Sequence, residues 1–373
     1  MPRMSANDQG NEGPPNERTP QFVAPDWWIY RGTGRPLHDL QLAELLPAPP
    51  PWRKFRGEPP AGPDTPPEDD SEAERRLGAE FHLTEHDVDP TEVDMVNAAL
   101  FLRRPLLVTG RPGTGKSALA YRIARELRLG RVLRWSITSR TTIQSGLYEY
   151  DAMGRAQAAA TRYAAARQVG NGSPQVVDEP PVGDFVRLGP VGTAFLPSRL
   201  PRVLLIDELD KSDADLPNDL LSIFEDAEFG IPELERVRAH SPEVSVFTSD
   251  RHGAATVIDG RVACAAFPMV IITSNGEREF PAAFLRRCLR LEMREPDANQ
   301  LAAMVANHLL DPDGAHTDRL IREFVTRSAA LDGLPADRLL EAIYLATSGA
   351  FRDDDLAWPR LLDALWRRLS LAP

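Results

Sequence analysis

The sequence predicts an α/β fold, a parallel sheet covered by helices, with a small helical domain after it and a proline-rich tail before it. Three observations carry this. Short apolar runs recur in RPLLVTG, RVLRWSI (131–137), RVLLIDE (202–208) and FPMVIITSN (267–275), separated by helical or loop patterns. Runs that are apolar throughout, rather than alternating, suit strands buried on both faces. A glycine-rich stretch, LLVTGRPGTGKSALAYRIA (106–124), joins the first run to an amphipathic helix. From about Pro296 the pattern is helical only, in ANQLAAMVANHLL, TDRLIREFVTRSAAL, ADRLLEAIYLATSGA and WPRLLDALWRRLSL.

Taken in order, residues 1–85 form the tail. The first 80 residues hold 15 of the 34 prolines, and a segment so poor in apolar residues and backbone donors is expected to be mostly disordered or polyproline-like. Within it Trp27, Trp28, Ile29 and Tyr30, then Trp52 and Phe55, are costly to leave in water. They dock either on the chain's own folded part or on a partner. Residues 86–295 form the α/β core, opened by the helix start Asp89-Pro90-Thr91. Residues 296–373 form the helical domain.

Composition narrows the function classes. No apolar run approaches the roughly 20 residues that a membrane span needs, and the N-terminus MPRMSANDQGNEGPP lacks the apolar stretch of a signal peptide. A cytoplasmic location with no membrane contact is expected. The net charge of −12 argues against a nucleic-acid-coating surface. Cys264 and Cys288 are too few for a disulfide framework or a four-cysteine metal site and read as small core residues.

Residues Gly110-Arg111-Pro112-Gly113-Thr114-Gly115-Lys116-Ser117 satisfy the pattern G-x-x-x-x-G-K-[ST]. Glycines let the backbone curl so that successive N–H groups point at phosphate oxygens, and the helix that starts near Ala118 presents its positive end to the anion. Lys116 suits the β- and γ-phosphates, and the Ser117 hydroxyl suits Mg²⁺. VLLIDE then places Asp207 and Glu208 at the end of a buried strand, where ligands gather in open α/β sheets. Asp207 can hold Mg²⁺ through its water shell, while Glu208 can polarise the attacking water. A third run ends at Asn275, whose amide can orient that water. Arg286 and Arg287 follow in FPAAFLRRCLRL, and an arginine there neutralises transition-state charge only if a neighbour or another domain brings it to a site. Arg287 is preferred over Arg286.

In this order and spacing GRPGTGKS, LLIDELDKSD, IITSN and FLRRC resemble an AAA+ ATPase, from about residue 90 onward. PRVLLIDELDKSDADLPNDLLSIFEDAEFGIPEL most resembles the MoxR-like branch. The resemblance implies an αβα P-loop core with a helical lid, rings that are usually hexamers, and nucleotide held between subunits. It makes Lys116 and Ser117 Walker A residues, Asp207 and Glu208 Walker B, and Asn275 sensor 1. It also makes Arg360, in AWPRLLDAL, the sensor 2 residue that reaches back to the phosphates, with Arg352 the second choice. ATP is preferred over GTP through the same resemblance, as no guanine-reading N-K-x-D is present.

Two further stretches fit this branch. VSVF and ATVI flank a polar turn, SDRHG, and read as a hairpin ahead of sensor 1 or as a plain solvent hairpin. Gly146, Leu147 and Tyr148 either face a central channel or belong to the core. The function expected is Mg²⁺-dependent ATP hydrolysis that remodels a protein partner, a von Willebrand factor A domain protein by the same resemblance. An ATP-dependent switch or scaffold gating an effector is the alternative, and a nucleic-acid motor ranks below both.

Overall fold

The computed structural model describes residues 25–37, 41–59, 70–78, 88–169, 179–308, 314–330, 334, 336–348 and 357–366. Five strands form the central sheet: β1 (Leu106–Thr109), β2 (Leu133–Ser136), β3 (Val203–Asp207), β4 (Met269–Ser274) and β5 (Leu289–Glu292). Their order is β5-β1-β4-β3-β2, with all neighbours parallel. Every residue of β3 and β4 is buried, as expected for strands covered on both faces.

Because the strands run the same way, their C-terminal ends share one edge. Thr109 pairs with Ser274, Ile272 with Ile206, and Ser136 with Asp207. That register brings Gly110, Asp207 and Asn275 to one edge, although they lie far apart in the chain.

One face of the sheet is covered by the helices Pro90–Leu102 and Lys116–Glu126. The other face is covered by the helix Leu216–Asp226 and a second, six-stranded sheet. A separate apolar cluster unites the helices Ala298–His308, Gly314–Ala330, Asp337–Thr347 and Trp358–Leu365 around Leu320, Leu339, Ile343 and Trp366. This is the expected small helical domain.

The aromatic stretch near the N-terminus docks on the chain itself. The Asn97 side chain accepts from the backbone N–H groups of Ile29 and Tyr30, each at 2.9 Å, and donates to the Tyr30 carbonyl at 2.7 Å. Tyr30 is fully buried, and its hydroxyl meets Glu92, which is ion-paired to Arg122 at 2.6 Å. The next turn wraps the buried Glu126 carboxylate, which accepts from the N–H groups of Arg31, Gly32 and Gly34 and from the Thr33 hydroxyl. Burial pushes the Glu126 carboxyl above its ordinary value, with those donors pulling the other way. The attachment is therefore made by hydrogen bonds as much as by apolar area, a contribution that residue composition does not report.

VSVF and ATVI do pair antiparallel, as Glu243–Phe247 with Ala254–Ile258, inside the second sheet. Their turn is anchored: Asp250 receives two hydrogen bonds from Arg202, at 3.0 and 2.8 Å, in a buried ion pair just ahead of β3. Gly146, Leu147 and Tyr148 belong to the core. Leu147 and Tyr148 are buried, and a Cβ on Gly146 would come within 2.8 Å of the Trp135 ring. Cys264 and Cys288 are free and buried, with burial pushing both thiols up to about 12. Among the described residues no helix is long and apolar enough to cross a membrane.

Candidate active site

The glycine loop leaves β1 at Gly110 (φ 146°) and enters its helix through Gly115, left-handed at φ 84°. A Cβ on Gly110 would lie 2.8 Å from the Met293 carbonyl oxygen, so both backbone angle and space require glycine there. Thr114 stiffens the turn by donating its hydroxyl to the Arg111 carbonyl at 2.9 Å. Lys116 is buried and donates to the carbonyls of Gly110 and Arg111, at 2.8 and 2.7 Å. Burial pulls its pKa below the ordinary lysine value, while Asp210, Asp207 and Glu208 push the other way. Pro112 is exposed, and Ala118 continues the helix half-buried.

Ser117 connects the loop to the acidic strand end. Its hydroxyl donates to Asp207 at 2.6 Å. The same Asp207 oxygen accepts from the Thr273 hydroxyl at 2.8 Å, and the other accepts from the Arg134 guanidinium at 3.0 and 2.6 Å. Burial alone would raise the Asp207 pKa, but the hydrogen bonds from Ser117, Arg134 and Thr273 outweigh it and hold the carboxyl below its ordinary range.

Glu208 adopts left-handed backbone, φ 63° and ψ 50°, a conformation that costs a non-glycine residue about 1–2 kcal/mol. The turn is held by its N–H, which donates to the Thr273 hydroxyl at 2.8 Å. The Glu208 carboxylate is exposed and accepts from Lys211 at 2.7 Å. Asp210, buried behind it, accepts from the N–H groups of Asn275 and Glu277 at 2.9 and 3.1 Å. Its other oxygen is buried and lacks a hydrogen-bond partner.

Gly110 to Ser117, Asp207, Glu208 and Asn275 are thus brought together. Arg286 and Arg287 are not. They end the helix Ala282–Arg287 just before β5, where Leu289 pairs with Leu106, so they lie level with Arg104. Six residues of strand rise, roughly 20 Å, separate that level from Gly110. Arg287 forms an ion pair with Glu225 and Arg286 is exposed. Arg360 is exposed on the helix Trp358–Leu365. The cleft between the loop and the helical domain is instead lined by Pro112, Gly113 and Thr114 facing Leu301, Phe324 and Leu334. Arg352 lies outside the described residues.

Three residues escaped the sequence reading: Arg134, Thr273 and Asp210. Thr273 sits inside the run that led to Asn275, and Asp210 is the third carboxylate of IDELD; both signals were present. Arg134 reaches Asp207 only through the pairing of β2 with β3.

The arrangement can grip a polyphosphate. Among the described residues no group of three or more histidine, cysteine, aspartate or glutamate side chains is placed to hold a metal by itself. A hydroxyl and a carboxylate 2.6 Å apart do fit Mg²⁺, which keeps several waters and takes its other ligands from phosphate. Fold and site together define a P-loop nucleotide-binding protein with an acidic pair at its strand edge. More particularly, residues 105–288 match the AAA domain (dynein-related subfamily), a likeness that supports ATPase activity in general. No curated protein matches the chain.

Proposed function

We propose that the protein is a Mg²⁺-dependent ATPase of the MoxR-like branch. It acts in the cytoplasm as a hexameric ring and remodels or activates a protein partner, with a von Willebrand factor A domain protein the class of choice. The observation that carries hydrolysis is the Ser117–Asp207 contact, which puts a hydroxyl and a carboxylate in reach of one cation. Lys116 and the N–H groups of Gly113 to Ala118 hold the phosphates. Ser117 and Asp207 would hold Mg²⁺, which would supply neutralisation of the phosphate charge. Glu208 draws a proton from the attacking water and Asn275 orients that water.

Arg287, with Arg286 beside it, faces the nucleotide of a neighbouring subunit, since roughly 20 Å of strand separates it from its own loop. Arg360 reaches the phosphates when the helical domain closes. The chain's charge supports a protein partner over nucleic acid.

Light scattering with and without ATP, on wild type and Glu208→Gln, tests the assembly. The expected result is a nucleotide-dependent ring, trapped by the variant. Monomers under every condition would contradict it. With the partner present, Glu208→Gln should hold both ATP and partner while output stops; retained or increased output would instead indicate a switch.

A further inference from the structure

The proline-rich segment outside the matched domain reaches the far end of the central sheet. Phe55 stacks on Phe267 with ring centroids 5.5 Å apart, and the Arg53 guanidinium lies over the same ring at 5.5 Å. The Gly57 N–H donates to the Cys264 carbonyl at 2.9 Å, where a Cβ would stand 2.2 Å from the Ala263 carbonyl oxygen. These contacts form a built strap. It places Arg53 so that it donates to the Phe224 carbonyl at 2.7 Å, one residue before Glu225.

Glu225 is the carboxylate on which Arg287 rests. From the other side Arg104 donates to the carbonyls of Arg286, Arg287 and Cys288. Arg53 therefore lies near both Arg104 and Arg287, with Glu225 the carboxylate that Arg287 pairs. Burial, and then repulsion from Arg104 and Arg287, holds Arg53 below its ordinary pKa against the pull of Glu225. Guanidinium groups gathered in this way are stabilised by an incoming polyanion. Next to Arg53, Trp52 is 78% exposed, and exposed tryptophan beside arginine is the composition typical of interface anchors.

We infer that the strap and Arg287 form one surface that binds a second copy of this chain: Trp52 contacts the protein and Arg53 positions Arg287 towards the triphosphate held by that copy. This rests on the proposal that nucleotide sites are shared between subunits. Arg53 acts as a positioning residue. It fixes the helix end bearing Glu225, and its charge weakens the hold of Glu225 on Arg287, so that a phosphate can compete for the guanidinium.

The test uses full-length chains. Arg53→Ala should lower kcat for ATP about tenfold with KM within about twofold of wild type, because its own phosphate loop is intact. Arg53→Lys, which keeps the charge, should recover part of the loss. Mixing Arg53→Ala with excess Glu208→Gln chains, silent themselves but with an intact arginine face, should restore turnover at the Arg53→Ala sites. Restoration separates positioning from misfolding, since an unfolded chain has no site to restore. Trp52→Ala should raise the protein concentration needed for half-maximal specific activity. Wild-type kcat in Arg53→Ala, or a defect that Glu208→Gln chains do not relieve, would overturn the inference. If Arg287→Ala mixed with Glu208→Gln also stays silent, sharing itself is wrong and the inference falls with it.

Discussion

The two ends of the central sheet treat charge in opposite ways. At the C-terminal edge the chain answers most of its own charges: Lys116 has two carbonyls, Asp207 has Ser117, Thr273 and Arg134, and one Asp210 oxygen has two backbone N–H groups while the other has none. At the N-terminal edge three arginines, Arg53, Arg104 and Arg287, lie close together beside the single paired carboxylate Glu225. A site so largely satisfied from within can exchange its internal hydrogen bonds for those of a ligand. A site with surplus charge is completed from outside.

The largest expected effect separates the two ends directly. Arg287→Ala should reduce kcat by about 10³-fold or more, the range seen for arginine fingers, while nucleotide affinity changes little. Steady-state hydrolysis checks this, and an unchanged rate would remove the far end from the catalytic account. Glu208→Gln should cost about 10²–10⁴-fold, the typical contribution of a general base, and should retain nucleotide in a fluorescent-nucleotide binding assay. If it lost the nucleotide, Glu208 would belong to binding.

Smaller effects sharpen the account of what holds the site. Asp250→Ala leaves Arg202 buried without its carboxylate at the start of β3, which should cost about 3–5 kcal/mol of stability, read from the urea midpoint. Asp207 should give the smallest signal. Its folded pKa is depressed, so its contribution to stability is complete above about pH 4, the ordinary aspartate value, and is lost as pH falls through the folded value. The difference in unfolding midpoint between wild type and Asp207→Asn should therefore shrink on acidification. A difference independent of pH would mean that the carboxylate is not held by charge-assisted hydrogen bonds.

The phosphate loop, the acidic pair and Asn275 were legible because phosphate chemistry fixes residue types at short spacings along single strand ends. Arg134 was not, because it meets Asp207 across a strand pairing that no local pattern announces, and Thr273, although inside the run that ends at Asn275, shows its role only where it meets Asp207. Asp210 is one acid among several in the sequence, and its role appears only when the Asn275 turn folds over it. The aromatic stretch at Trp28 to Tyr30 was legible as a docking element. Its partner, Asn97 on the helix Pro90–Leu102, was not, since one buried asparagine among apolar residues carries no signal until its hydrogen bonds are seen. For Gly146 to Tyr148 the sequence left pore loop and core open; packing of Gly146 against Trp135 decides for core.

The central claim is that one chain's phosphate site is completed by another chain's arginine face. The most direct measurement is ATP turnover in mixtures of Arg287→Ala and Glu208→Gln, each silent alone. Turnover should appear on mixing and peak at intermediate ratios, where intact loops meet intact arginines. Silence at every ratio, with both variants folded and binding nucleotide, would contradict it.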